Sequence, residues 1–145
     1  MADCRLLPVP PEAVPQVWNL LQAEIASIAE RSHGRLTVDS IRQAVMEPDM
    51  DGGYRMLAWV AVDENGALLA IAIGGIETFP AAKMFRLYGV SGRERRRWLP
   101  LLSEIENWAR GQGCTHAILW ARKGYARDLP DYRLEHVELV KELRP

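Results

Sequence analysis

Cysteine is scarce in this chain of 145 residues: Cys4 and Cys114 are the only two, far apart in sequence and outside any CxxC or Cys/His ligand cluster. A disulfide framework is thereby excluded, and two reduced thiols are expected. The histidines, His33, His116 and His136, include no pair with metal-ligand spacing. No metal is expected. An excess of either charge is also missing: the formal net charge is -1, so no global field draws the chain to nucleic acid or to a membrane surface, and anion binding must be local. The tryptophans at 18, 59, 98, 108 and 120 do not interleave with a basic stripe as base-stacking platforms would. No apolar run approaches membrane-spanning length, and the start Met-Ala-Asp-Cys-Arg lacks the basic and apolar regions of a secretory leader. Nucleic acid and membrane are therefore not expected partners, and the expected location is the cytoplasm.

Nearly half the residues are apolar and about a quarter charged, as in ordinary globular proteins. With no repeat, low-complexity tract or linker, residues 1–145 read as one domain. Residues 4–9 suggest a short strand closed by Pro8, Pro10 and Pro11. Val14, Val17, Trp18, Leu21, Ile25 and Ile28 then recur at helical spacing, up to Gly34. Thr37 is the expected N-cap of a second, shorter helix through Ile41, Ala44 and Val45, limited by Pro48.

The period changes in the middle of the chain. Met56 to Val62 and Ala67 to Ile76 are apolar runs on either side of Asp63-Glu64-Asn65-Gly66, the signature of a hairpin. Both runs are nearly continuous in apolar residues, which predicts strands covered on both faces. Lys83 to Val90 reads as a further strand ended by Ser91-Gly92. After an arginine cluster, Leu101, Leu102, Ile105, Trp108 and Ala109 share a helical face, stopped by Gly111 and Gly113. Thr115 to Ala121 returns to strand composition, a short turn or helix follows around Tyr125 to Leu129, and Arg133 to about Leu143 reads as a last strand. The fold class is α/β (α+β), with a mostly antiparallel sheet flanked by helices in the order β-α-α-β-β-β-α-β-α-β.

Arg93, Arg95, Arg96 and Arg97 crowd five positions. Guanidinium forks at a helix start suit phosphate oxygens; equally, such a cluster is a solvated basic helix start, partly paired with acidic neighbours. Pro100 belongs in a first helical turn, so the helix begins near Trp98 with the arginines on a loop, or near Gly92 with a kink. Cys114 and His116, two apart on a strand, face the same side, where core or edge roles are expected.

This element order resembles the GNAT acetyltransferase fold over almost the whole chain. The resemblance implies acetyl-CoA or another acyl-CoA as cofactor, held between the fourth strand and the next helix by Arg/Gln-x-x-Gly-x-Gly/Ala, where glycines admit the pyrophosphate to backbone N–H groups. Here that place reads Val90-Ser91-Gly92-Arg93-Glu94-Arg95-Arg96-Arg97-Trp98-Leu99-Pro100, with Arg96 and Trp98 where the glycines belong. The implied cofactor residues are Val90, Arg93, Arg95, Arg96 and Arg97, with arginine side chains in place of the missing backbone cradle. For catalysis it implies a carboxylate to deprotonate an amine, with Glu77 the best placed, and a tyrosine to protonate the leaving thiolate. If Tyr132 stands for the family's closing aromatic, Arg127 falls at that tyrosine's place, and Tyr125 is the nearest substitute. A small-molecule amine or protein amino group would be the acceptor.

The stretch Ala121-Arg122-Lys123-Gly124-Tyr125-Ala126-Arg127 and the ending Glu138-Leu139-Val140-Lys141-Glu142-Leu143 also resemble small GNAT-like proteins of tailed phages and prophages. That resemblance implies the alternative: a non-catalytic module whose partner is a virion or other protein, located in the virion or the host cytoplasm.

Overall fold

The computed structural model describes residues 4–47, 56–121 and 124–145; the limit expected at Pro48 and the Arg122-Lys123 pair lie outside them. Five strands form one sheet in chain order, β1 (Cys4–Val9), β2 (Met56–Asp63), β3 (Leu68–Thr78), β4 (Lys83–Gly92) and β5 (His116–Leu119). The first three pairings are antiparallel and the last, β4 with β5, is parallel. The β2–β3 hairpin turns where Asp63-Glu64-Asn65-Gly66 foretold. The Asp63 carboxylate accepts hydrogen bonds from the backbone of Asn65 and Ala67, both at 2.9 Å, and Gly66 takes the positive φ (81°) that the turn requires.

Both faces of the sheet are covered, as the unbroken apolar runs predicted. Helix α1 (Val14–Arg31), entered through a single 3-10 turn at Pro11–Ala13, and helix α2 (Val38–Met46) pack on one face. Leu21, Ile25, Ile28 and Ile41 there meet Ala58, Ile71 and Ile73 of the sheet. Thr37 caps α2 as expected: its hydroxyl accepts the Ser40 N–H at 3.0 Å while the Ser40 hydroxyl accepts the Thr37 N–H at 2.9 Å, a reciprocal pair of the capping-box kind. On the opposite face a helical turn α3 (Arg95–Trp98), a 3-10 turn (Leu99–Leu101) and helix α4 (Leu102–Gly111) follow one another. Their core holds Trp59, Phe85 and Trp108 edge to face, with ring centroids 5.4–5.9 Å apart. Each large side chain buried in these two layers contributes about 1.5–3 kcal/mol.

Two details of the sequence reading change. The arginines lie neither all on an open loop nor in a kinked long helix: Arg93 is in the bend after β4, Arg95, Arg96 and Arg97 occupy α3, and Pro100 sits in the 3-10 turn that joins α3 to α4, where its missing N–H costs least. The strand expected from Arg133 to Leu143 is absent; after helix α5 (Gly124–Asp128) residues 129–145 join no ladder. The reason is visible in the residues. Leu134 and Val140 fall on one parity and Val137, Leu139 and Leu143 on the other, so a strand would put apolar side chains on both faces with no layer to cover either. All five are exposed instead.

Candidate functional site

The sheet opens between β4 and β5. Their parallel pairing runs from Met84 with His116 to Leu87 with Leu119, and the Trp120 N–H still reaches the Leu87 carbonyl at 3.2 Å. Beyond it β4 continues to Gly92 with β3 alone. At that point β4 carries a bulge: Leu87 faces Gly74 and Gly89 faces Ile73, leaving Tyr88 unmatched on β3. Gly89 also meets α1, where a Cβ would fall 2.5 Å from Ile28 Cγ2. No larger residue fits there unless Ile28 or the helix that carries it gives way.

The strands part into a cleft of about 670 Å³. Tyr88, Gly89 and Val90 line one side and Leu119, Trp120 and Ala121 the other; Glu30, Arg31, His33 and Arg35 stand at the α1 end, and Tyr125 of α5 also lines the cleft. Val90, expected at the cofactor site, thus lines the opening. Its carbonyl, left without a partner strand, accepts a hydrogen bond from Arg31 Nη2 at 2.8 Å, so the exposed edge of β4 is satisfied by a side chain. The rings of Tyr88 and Trp120 stack edge to face at the apex. Two guanidiniums also approach Trp120, Arg86 at 5.0 Å and Arg35 at 5.8 Å from its ring centroid. Arg35 is ion-paired with Glu138 of the C-terminal segment.

The arginine cluster does not converge on this cleft. Arg95 pairs with Asp128 and lies over the ring of Tyr125, a lining residue, 4.5 Å from its centroid. Arg97 turns to Glu64 (3.0 Å) and Glu94 (3.2 Å), toward the β2–β3 turn. There the Ala67 and Asn65 amides, with Arg97 and Arg93 nearby, hold the Asp63 carboxyl below its ordinary value. Arg93 and Arg96 are exposed; the Arg93 amide is spent on the Leu69 carbonyl at 2.9 Å. Glu94 takes the left-handed conformation (φ 55°, ψ 51°) that begins α3, at a cost of roughly 1 kcal/mol that glycine would avoid. Trp98 does not plug the cleft: it is buried beneath the opposite face, its indole N–H donating to the Arg93 carbonyl at 2.8 Å. The void beside it is about 20 Å³, room for one water at most.

Of the two expected catalytic residues, Tyr125 lines the cleft and Glu77 does not. Glu77 is ion-paired with Arg86, and so is tied to the cleft wall only through the guanidinium over Trp120. Burial pushes the Cys114 thiol up, away from a reactive thiolate, and His116 Nδ1 lies 2.8 Å from the Thr115 hydroxyl. Among the described residues no group of three or more His, Cys, Asp or Glu side chains is arranged to hold a metal, and no helix is long and apolar enough to cross a membrane. Glu30, Arg31, Arg35 and Trp120 went unnoticed in the sequence because each sits in an ordinary helical or strand pattern. Only the strand divergence brings them together.

No family model matches the sequence, and no curated protein matches it. Solved structures do. The aminoglycoside acetyltransferase meta-AAC0020 from an uncultured soil metagenomic sample is 12% identical with a TM-score of 0.66, covering 98% of this chain and 97% of that one. The aminoglycoside 6'-N-acetyltransferase AAC(6')-Ih of Acinetobacter baumannii is 16% identical at 0.65, covering 98% and 99%. The ribosomal-protein-alanine N-acetyltransferase of Brucella melitensis biovar Abortus 2308 is 11% identical at 0.65, covering 97% and 99%. The fold of this chain is therefore the GNAT acetyltransferase fold, and at these identities the likeness is one of fold.

Proposed function

We propose that the chain is an acyl-CoA-dependent N-acyltransferase acting on a small-molecule amine or a protein amino group. The observation that carries this is the divergence of β4 and β5 at the Tyr88 bulge, which opens a cleft of about 670 Å³ between the two strands. The similar structures are acetyltransferases of aminoglycosides and of a ribosomal protein, and those activities come to this chain as part of the proposal.

The residues fit such a cofactor in part. An open cleft walled by Val90 and Trp120 accommodates a slender arm. The glycine-lined cradle for a pyrophosphate is missing, so Arg93, Arg95, Arg96 and Arg97 would hold phosphates through side chains, Arg95 and Arg97 after exchanging their carboxylate partners. Bound acyl-CoA supplies an activated thioester. The chain's own groups would orient the amine and move its proton. Glu30, which lines the cleft together with the Arg35-paired Glu138, is assigned to accept that proton directly or through water, in place of Glu77, which Arg86 engages. Tyr125, also in the lining, is assigned to return a proton to the leaving thiolate.

The alternative, a non-catalytic module using the fold as an interaction surface toward a virion or other protein, is favoured by one observation: the carboxylates of Asp128, Glu94 and Glu64 already answer Arg95 and Arg97. Calorimetry with acetyl-CoA separates the two. Micromolar binding, lost on replacing Arg95, Arg96 and Arg97 together with alanine, is expected for the enzyme; no binding at millimolar ligand leaves only the alternative.

A further inference from the structure

We infer that Arg35 at the mouth of the cleft is a site for the carboxylate of an amine-bearing ligand, and that Glu138 occupies this site in the free chain. The amine half of that ligand rests on the acyltransferase reading. The carboxylate half stands on geometry alone.

Arg35 is oriented before any ligand arrives. Its Nη1 donates to the Ser32 carbonyl at 3.3 Å and its guanidinium carbon lies 5.8 Å from the Trp120 ring centroid. Ser32 is itself fixed, its hydroxyl donating to the Ala29 carbonyl at 2.7 Å and accepting the Leu36 N–H at 2.9 Å. The two other guanidiniums nearby have fixed partners: Arg31 serves the Val90 and Ser27 carbonyls, and Arg86 pairs with Glu77. Arg35 alone has its charge answered from a distant part of the chain, by Glu138, 103 residues away.

Glu138 belongs to a segment with little else to hold it. Among the described residues from Arg133 onward, its bond to Arg35 is the one hydrogen bond or ion pair to the rest of the chain; Arg133–Glu135 and Arg144–Glu142 are internal to the segment. The flanking Val137, Leu139 and Val140 are exposed. Both partners of the pair are themselves open to solvent, at 38% and 59%, and an exposed ion pair is a weak tether. The group on Arg35 is a carboxylate, the anion a guanidinium fork matches in plane and spacing, so it stands in for a ligand carboxylate. With Glu30 in the same lining, the mouth offers opposite charges to the two ends of an amino acid or short peptide.

The test needs no acetyl-CoA. The probes are δ-aminovalerate and its neutral amide, δ-aminovaleramide, which differ only in the carboxylate, titrated by calorimetry into the full chain. The acid is expected to bind about tenfold tighter than the amide, as one charge-assisted bidentate contact implies. Arg35→Gln abolishes the preference; Glu138→Gln, which removes the internal competitor, tightens the acid severalfold and leaves the amide unchanged. Thermal melting of Arg35→Gln confirms that this exposed substitution leaves the fold intact, and Glu138→Gln tests the idea independently of it. Equal affinities in the unmodified chain, a preference that survives Arg35→Gln, or no binding of either probe at millimolar concentration overturns the inference. Acetyl-CoA titration keeps the outcomes apart. Failure to bind the cofactor with the acid preference intact sinks the acyltransferase reading only, and cofactor binding with no preference sinks the carboxylate site only.

Discussion

Tyr88 and Trp120 stack edge to face, ring centroids 5.3 Å apart and planes at 83°, where β4 and β5 stop pairing. Tyr88 is the bulged residue of β4, and Trp120 makes the last backbone hydrogen bond of β5 to its neighbour, onto Leu87. The two rings form a cross-strand pair at the apex, where the ladder between β4 and β5 ends. The cleft thus begins at a one-residue insertion in the register of β4, with this ring pair at its apex.

A double-mutant cycle reads that relationship directly. Tyr88→Leu and Trp120→Leu should each destabilise the fold, and the pair should show a coupling of about 0.5–1.5 kcal/mol, the range for aromatic pairs beyond area burial. Denaturant unfolding supplies the four stabilities. Strict additivity would mean that the rings are neighbours without a stabilising contact.

Gly89 sets how closely α1 approaches the cleft wall. A Cβ there meets Ile28 Cγ2 at 2.5 Å, so Gly89→Ala should cost about 1–3 kcal/mol, as overpacking does. Ile28→Ala in the same chain removes the obstructing atoms and should return part of the loss. A Gly89→Ala protein as stable as the parent would show that Ile28 or α1 gives way freely at this contact.

Much of this layout was legible from residues. The Asp63-Glu64-Asn65-Gly66 turn, the Thr37 cap and the doubly covered strands β2 and β3 each follow from a local rule that the tertiary structure leaves alone. The cleft was not, because its cause is a register shift at Ile73 and Gly74, and bulges leave no periodic trace in β4. The tail misled for the opposite reason. Arg133 to Leu143 has strand-forming residues, but pairing needs a sheet edge and a covering layer, which composition does not report. The arginine cluster and its neighbour Glu94 were legible, yet two of the acids that engage it, Glu64 and Asp128, lie 33 residues away on either side.

Tyr132 links the segment after α5 to α4: its hydroxyl donates to Glu106 Oε2 at 2.6 Å. Burial, then the bond and charge of Glu106, raise the phenol above its ordinary value of 10.0. A raised folded-state value means that the folded chain holds this proton more tightly than the unfolded one. The contribution is therefore complete below the ordinary value and falls away as pH rises past it. Above about pH 10 the melting temperature should drop more steeply with rising pH for the parent chain than for Tyr132→Phe. Parallel profiles would place the alkaline sensitivity elsewhere.

Under the acyltransferase reading, Tyr125→Phe should lower kcat by roughly 10²–10⁴-fold, the usual range for a general acid, with little change in the affinity for acetyl-CoA. Phenylalanine keeps the ring under the Arg95 guanidinium, so packing is a poor explanation for such a loss. A kcat within about twofold of the parent would remove Tyr125 from the chemistry.

Trp98 stands where the GNAT motif has a glycine, and the simplest expectation is that shrinking it restores a cofactor loop. Its position argues otherwise. The indole is 6% exposed, packs with Leu99, Leu102 and Ile105, and donates to the Arg93 carbonyl at 2.8 Å. Trp98→Ala should therefore cost about 3–5 kcal/mol by opening a core cavity. Trp98→Phe, which retains most of the packing, should cost less and include about 1 kcal/mol for the lost hydrogen bond. Neither should improve acetyl-CoA affinity, measured by calorimetry at a temperature where both variants are folded. Tighter binding by Trp98→Ala would mean that α3 rearranges to admit phosphate at its backbone, and that the indole blocks the loop it now anchors.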